Sequence, residues 1–396
     1  MKIEERIERD LHSQLSTIVP AEDAWIFIQR RVQRHERMSR LHGPLVAVFA
    51  LLLSGVTLIG LWLAMGRGST GRPGSTGPIE GSVAPRVSLT LNVAPEGGSS
   101  ILFAEGSLWV LGYGPAGGDD PEAFRVDPAT DSVVASAQLV AGPVWEVGGD
   151  GVAFGEGSIW VAGGNGDEAI LQRIDAMSNA VVARVPLPGG LAGDVAVGTG
   201  AVWVSVMNTH DGTVHLLRVD PQTNEVVSTI PLQGDWAREV FAEGETVLVR
   251  TRVGDASLLS AIDPMTSEVV TKERFTEVLG PFAESEGVIW AASNDRFLRI
   301  DPATGRQIGE PVQLQGVAIT PLNSGTSMVS DGGGIWFVGY DPDEVDASPT
   351  LHRYDPDAGQ VDVSVELENP EPIALALGAE ALWVLNYDGS VTRVDI

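Results

Sequence analysis

One landmark recurs seven times along this chain, and a chain that repeats at a fixed period folds as a stack or ring of equivalent units. A small-residue turn followed by a Trp-bearing strand reads EGSLWV, EGSIWV, TGAVWV, SEGVIWA, GGGIWFV and GAEALWV, with Trp109, Trp160, Trp203, Trp290, Trp336 and Trp383. A seventh copy, FAEGETVLV, has Val247 where Trp is expected. Successive copies lie 43 to 51 residues apart. A second landmark follows each first: RVDPAT, RIDAMS, RVDPQT, AIDPMT, RIDPAT, RYDPDA and a terminal RVDI. Asp-Pro-x-Thr is turn chemistry, because the Asp side chain caps the turn and Pro presets the backbone after it. Alternating strands such as EVVSTIPL follow the turns.

Each unit thus supplies four short strands, a to d from the inside outward, which is one propeller blade. The last repeat stops at Ile396, after its third strand, while an orphan strand at 86–93 precedes the first repeat. Pairing the two closes the ring and removes an exposed sheet edge. The expected fold is therefore all-β: a seven-bladed β-propeller over 86–396 with four-stranded blades, preceded by short helices and one transmembrane helix. The G-x-x-W-V strands and R-I-D-P-x-T turns resemble those of the YVTN and virginiamycin B lyase-like propeller superfamily. The resemblance implies the fold; one fold hosts many activities.

The first 85 residues are of a different kind. From Gly43 to Gly66 no residue is charged, a length that spans the hydrocarbon layer as a helix. The stretch is too long, and too far from the N-terminus, for a signal peptide. Arg30, Arg31, Arg34, Arg37 and Arg40 precede it, and only Arg67 and Arg72 follow closely, so the N-terminus is expected in the cytoplasm and the propeller outside. Residues 1–42 read as two short helices with apolar stripes at Ile3, Ile7, Leu11, Leu15 and Ile18 and at Trp25, Ile28 and Val32. Residues 67–85, rich in Gly, Ser, Thr and Pro, read as a flexible linker. The segment VPAEDAWIFIQRRVQRHERMSR resembles the N-termini of actinobacterial membrane proteins, some of them anti-sigma-like. A zinc-binding domain of that kind needs Cys ligands, and the chain has no Cys.

Charge narrows the partners. Beyond position 42 the chain carries 17 basic and 46 acidic residues. That field repels nucleic acid and anionic headgroups, so no nucleic-acid partner is expected. The expected partner is a ligand or protein on the extracytoplasmic side, with membrane attachment through the single span.

Repeated residues explain a scaffold, so recognition is sought where repeats differ. The Trp series is expected between blades, and Arg125, Arg173, Arg218, Arg299, Arg353 and Arg393, each two residues before a turn Asp, are expected to bridge them. The a–b and c–d turns are tight, whereas the b–c and d–a connections are irregular: 113–122, 140–150, 207–212, 233–238, 317–327 and 340–349. Variable connections on a rigid scaffold are the usual place for binding. The candidate ligand-binding residues on that face are Trp145, Trp236, Arg238, His210, Asp211, Tyr340, Asp341 and Asp343. Asp119, Asp120, Glu122, Asp341, Asp343 and Glu344 offer oxygen chemistry suited to calcium but lack EF-hand spacing, so no cofactor or metal is expected. No phosphate loop, nucleophile elbow or metal-ligand helix is present. No catalytic residue is assigned, and the expected role is binding or sensing. Two alternatives stand beside it: a lyase- or hydrolase-type enzyme, which needs His210 and acidic groups converging on a metal near the axis, and a structural subunit of an envelope complex.

Overall fold

The computed structural model describes residues 84–114, 121–140, 151–164, 168–242, 244–319, 328–344, 348–369 and 371–396. The N-terminal segment 1–42, the span 43–66 and nearly all of the linker 67–85 lie outside these residues. Among the described residues no helix is long and apolar enough to cross a membrane.

The described residues form seven antiparallel sheets, and in all but the last the strands follow chain order from the inside outward. Blade 1 is typical: a, Gly98–Ala104; b, Ser107–Tyr113; c, Pro121–Asp127; d, Ser132–Gln138. The a strands of blades 2 to 5 are Val152–Gly155, Leu191–Gly198, Trp236–Phe241 and Phe282–Ser285; that of blade 7 is Pro372–Gly378. Neighbouring a strands touch and form the inner wall of the ring. The d strands alternate exposed and half-buried residues, as outer edges do.

Closure occurs as the repeat count requires. Strand Arg86–Asn92 pairs antiparallel with Ser390–Asp395, from Arg86 opposite Asp395 to Asn92 opposite Ser390. The N-terminal strand is thus strand d of blade 7. Blade 6 departs from the expected pattern. Its inner position is split into Ala318–Ile319 and Met328–Ser330, which both pair with strand b, Ile335–Tyr340. The segment 317–327, expected as a loop, therefore contributes a short strand at its start.

The Trp residues hold the blades together. Trp109, Trp160, Trp203 and Trp383 are fully buried, and each packs into the core it shares with the following blade. In three of the four the indole N–H closes its own a–b turn, Trp160 donating to the Gly155 carbonyl at 3.1 Å, Trp203 to that of Gly198 at 3.3 Å and Trp383 to that of Gly378 at 3.1 Å; that of Trp109 has no partner among the described residues. Over each Trp lies the strand-c arginine, 4.8 Å away for Arg173 on Trp160 and 5.3 Å for Arg393 on Trp383.

In blades 1, 2 and 7 that arginine also reaches the next blade, whereas Arg353 of blade 6, also expected to bridge blades, pairs with Asp331 and Asp362 of its own blade. Arg173 Nη1 donates to the Pro221 carbonyl at 2.6 Å and to Asn224 Oδ1 at 3.3 Å. Arg125 does the same to Ala176 and Asn179, and Arg393 to Pro128 and Asp131 across the closure. The turn is shaped to receive it: Asp131, Asn179 and Asn224 sit at φ of 50°, 60° and 58°. Asn and Asp tolerate that left-handed region best among residues with a Cβ, and here their side chains also accept the bond. The turn Asp residues cap as expected, Asp220 accepting from the Gln222 N–H at 2.7 Å and Asp301 from that of Ala303 at 2.8 Å.

The a–b turns of blades 1, 2, 3 and 5 carry two consecutive left-handed residues, such as Glu105 and Gly106 at φ of 50° and 69°. Such turns match the twist of the flanking strands. Blade 7 uses Ala379 and Glu380 instead, at 54° and 57°. Replacing Glu380 by Gly should stabilise the propeller by about 1 kcal/mol in urea denaturation, since a Cβ in this region costs about that much. Gly198 answers to a different constraint, because a Cβ there would overlap the Ala242 carbonyl of the next blade. Gly198→Ala should therefore cost about 2 kcal/mol or more in the same assay.

Candidate functional site

The expected loop-face residues divide into three groups. His210 and Asp211 lie in the exposed b–c connection of blade 3. Asp211 accepts from the Thr213 hydroxyl at 2.7 Å and the Thr213 N–H at 2.9 Å, which hold its carboxyl below the usual range. Tyr340 ends strand b of blade 6, and Asp341 and Asp343 follow in the exposed connection, with Asp341 accepting from the Asp343 N–H at 2.9 Å. Trp236 and Arg238 belong to blade 4. Trp145, with Asp119 and Asp120, lies outside the described residues. The described members of the group are thus carried by blades 3, 4 and 6. His210 stands in its loop and does not line the channel cavity.

Trp236, expected just before an inner strand, is the first residue of one. It is half-buried and borders a void of about 10 Å³ against Leu191 and Met207 of blade 3, room for no more than one water. Arg238 follows two residues later and pairs across the strands with Arg250.

Blade 4 departs furthest from the repeat. Elsewhere the Trp pairs with the arginine two residues before the turn Asp, as Trp203 does with Arg218. In blade 4 that pair is Leu248 with Ala261, so Leu248 rather than Val247 occupies the Trp position. Two residues further along strand b stands Arg250, where the other blades have Leu111, Ala162, Ser205, Ala292, Val338 and Leu385. Arg250 is 5% exposed and its Nε has no hydrogen-bond partner among the described residues. Burial lowers its proton affinity, with Glu239 acting in the opposite direction.

Two carboxylates face this arginine's surroundings, each set by a register shift in an a strand. In blade 3 the pairing slips between Ala192 and Val195, which frees Asp194 from the alternation. In blade 4 it slips between Arg238 and Val240, so Glu239 is the extra residue, at φ of 54°. Such bulges re-aim side chains. Asp194, buried, accepts from the Val195 N–H at 2.9 Å and reaches the next blade to accept from the Val240 N–H at 2.6 Å. Glu239 repeats the motion one blade on. Its carboxylate accepts from the Phe282 N–H of blade 5 and stands 3.8 Å from Arg250 Nη2.

Asp194 and Glu239 both line a cavity of about 290 Å³ on the inner wall. Ala153, Phe154, Val197, Phe241, Pro281 and Phe282 complete most of its surface. A quarter of the Glu239 side chain remains accessible. Loss of solvation pushes the Glu239 carboxyl up to about 7, with Asp194 adding to the rise and Arg250 and Arg238 opposing it. An acid poised there exchanges a proton near neutral pH. Among the described residues no group of three metal-ligating side chains occurs.

The sequence reading missed Asp194, Glu239 and Arg250. The available signal was the arginine in a strand position that is small or apolar in every other blade.

No protein-family model matches the chain, and no curated protein matches it. Solved structures do. A chain of the mitotic checkpoint complex crystal structure is similar with a TM-score of 0.59 at 11% identity, over 86% of this chain and 99% of that one. The WD40 β-propeller domain of Doa1 is similar with a TM-score of 0.54 at 10% identity, over 78% and 96%. These likenesses establish the propeller fold.

The raised Glu239 value yields a signed prediction. The unfolded chain ionises this group near 4.5 and the folded chain near 7, so between those values the folded state holds the extra proton and loses stability as pH rises. Wild-type stability relative to Glu239→Gln should fall by up to about 3 kcal/mol across that window. Urea denaturation of both proteins as a function of pH measures it; a constant difference would mean that Glu239 ionises normally.

Proposed function

We propose that the chain is a recognition module: a propeller held outside the membrane by the span at 43–66, binding a protein partner through the face that carries the b–c and d–a connections. The observation that carries this reading is the asymmetry of the ring. One face consists of repeated tight turns, the c–d turns capped by their own Asp residues, and the other carries the polar connections of blades 3 and 6. A similar propeller is part of a mitotic checkpoint complex, an assembly, which fits use of the fold for docking. The YVTN-type repeat motifs agree with the same scaffold. The acidic surface suits a partner with basic groups and disfavours nucleic acid.

The test uses a photo-crosslinking residue placed singly at His210, at Asp343, or at Met177. Met177 is 86% exposed on a c–d turn of the opposite face. In intact cells the first two positions should capture the same partner, and Met177 should not. Capture from Met177 alone would place recognition on the wrong face. Deleting 43–66 should move the chain from the membrane to the soluble fraction; retention at the membrane would contradict the anchor.

A further inference from the structure

The inner wall carries chemistry that the loop face does not use. Most a-strand residues lining the cavity are apolar, and the charged side chains among them are Asp194 and Glu239. No basic side chain lines it among the described residues; Arg250 pairs with Glu239 from strand b. Blades 1 and 7 bulge one residue further from the a–b turn, between Gly98 and Ser100 and between Pro372 and Ala374, without placing a carboxylate there. The two acids are therefore a departure from the repeat.

We propose that this cavity binds a small organic cation, its ammonium group between Asp194 and Glu239 and its apolar body against Phe154, Phe241 and Phe282. The volume is near the lower limit for small-molecule sites, about 300 Å³. The Phe241 and Phe282 rings lie 5.8 Å apart at 31° and offer faces to both a cation and an alkyl chain. Both carboxylates are oriented before any ligand arrives, Asp194 by the Val195 and Val240 N–H groups and Glu239 by that of Phe282. Preorganisation of this kind lowers the cost of binding. A bare divalent ion suits the site less well: it takes about six to eight oxygen ligands, and this wall is largely aromatic and aliphatic. An anion would meet two carboxylates.

The charged groups around Glu239 are Arg250, Arg238 and Asp194, with Arg252 beyond them. A cation added to this set favours the ionised acid, so binding releases a proton near neutral pH and strengthens as pH rises through that region. This site is separate from the loop face, and its failure would leave the partner-binding reading untouched.

Calorimetric titration of the full chain with n-hexylammonium, in two buffers of different ionisation enthalpy, tests the proposal; hexanoate is the control. Hexylammonium should bind with proton release and hexanoate should not bind. Glu239→Gln should weaken hexylammonium by about tenfold or more above neutral pH and abolish the proton release. Ala153→Phe, which leaves both acids in place but fills the cavity, should block binding as well. Equal or tighter binding of hexanoate, an unchanged affinity in Glu239→Gln, or no binding of hexylammonium at millimolar concentration would each overturn it.

Discussion

The ring depends on one pairing between the two ends of the propeller sequence. Thr90 and Thr392, 302 residues apart, stand side chain to side chain at 3.3 Å where the N-terminal strand completes blade 7. Without that strand, blade 7 would present an open edge. The Arg393 strap to Pro128 and Asp131 is carried by the strand beside it, so the inter-blade strap also crosses the closure. Joining ends so distant costs loop entropy, but that cost grows only slowly with length. Once closed, each blade has two neighbours, and each Trp a surface to fill.

The strap joins turn chemistry to packing. A strand-c arginine lies over the Trp of its own blade and binds the backbone and the left-handed Asn or Asp of the next turn. The polar and apolar parts of the repeat therefore constrain one another. Blade 4 has no such arginine, and its wall differs. Blade 4 has Leu248 and Ala261 in place of Trp and Arg, and in the same blade a buried arginine and a bulged glutamate meet. Asp194 and Glu239 still tie blades together, each accepting an N–H from the following blade. They do so with ionisable groups beside a cavity, where a scaffold needs only backbone bonds.

Much of the fold was legible in the residues. The Asp-Pro turns, the paired turn residues before Trp and the alternating outer strands each have a local physical cause, and together they give the blade count and the closing strand. The split inner strand of blade 6 was not legible, because Ala318–Ile319 is too short to alternate. Nor was the charged pair of the inner wall. A bulge shifts register by one residue, and alternation read from sequence cannot show where it falls. That shift turns Glu239 toward the cavity, and the register of strand b likewise puts Leu248 where Val247 was expected. On the loop face, His210 and Asp343 stand in b–c connections of blades 3 and 6, as the repeat spacing places them.

Native-state hydrogen exchange across the closing strand tests the central claim that this pairing holds the ring. The amides of Leu89 and Leu91, and of their partners Arg393 and Val391, should exchange only with global unfolding, at the same free energy as the buried strand b of blade 3. Exchange of the closing strand at a much lower free energy, with the other blades still protected, would show that the propeller stands without it.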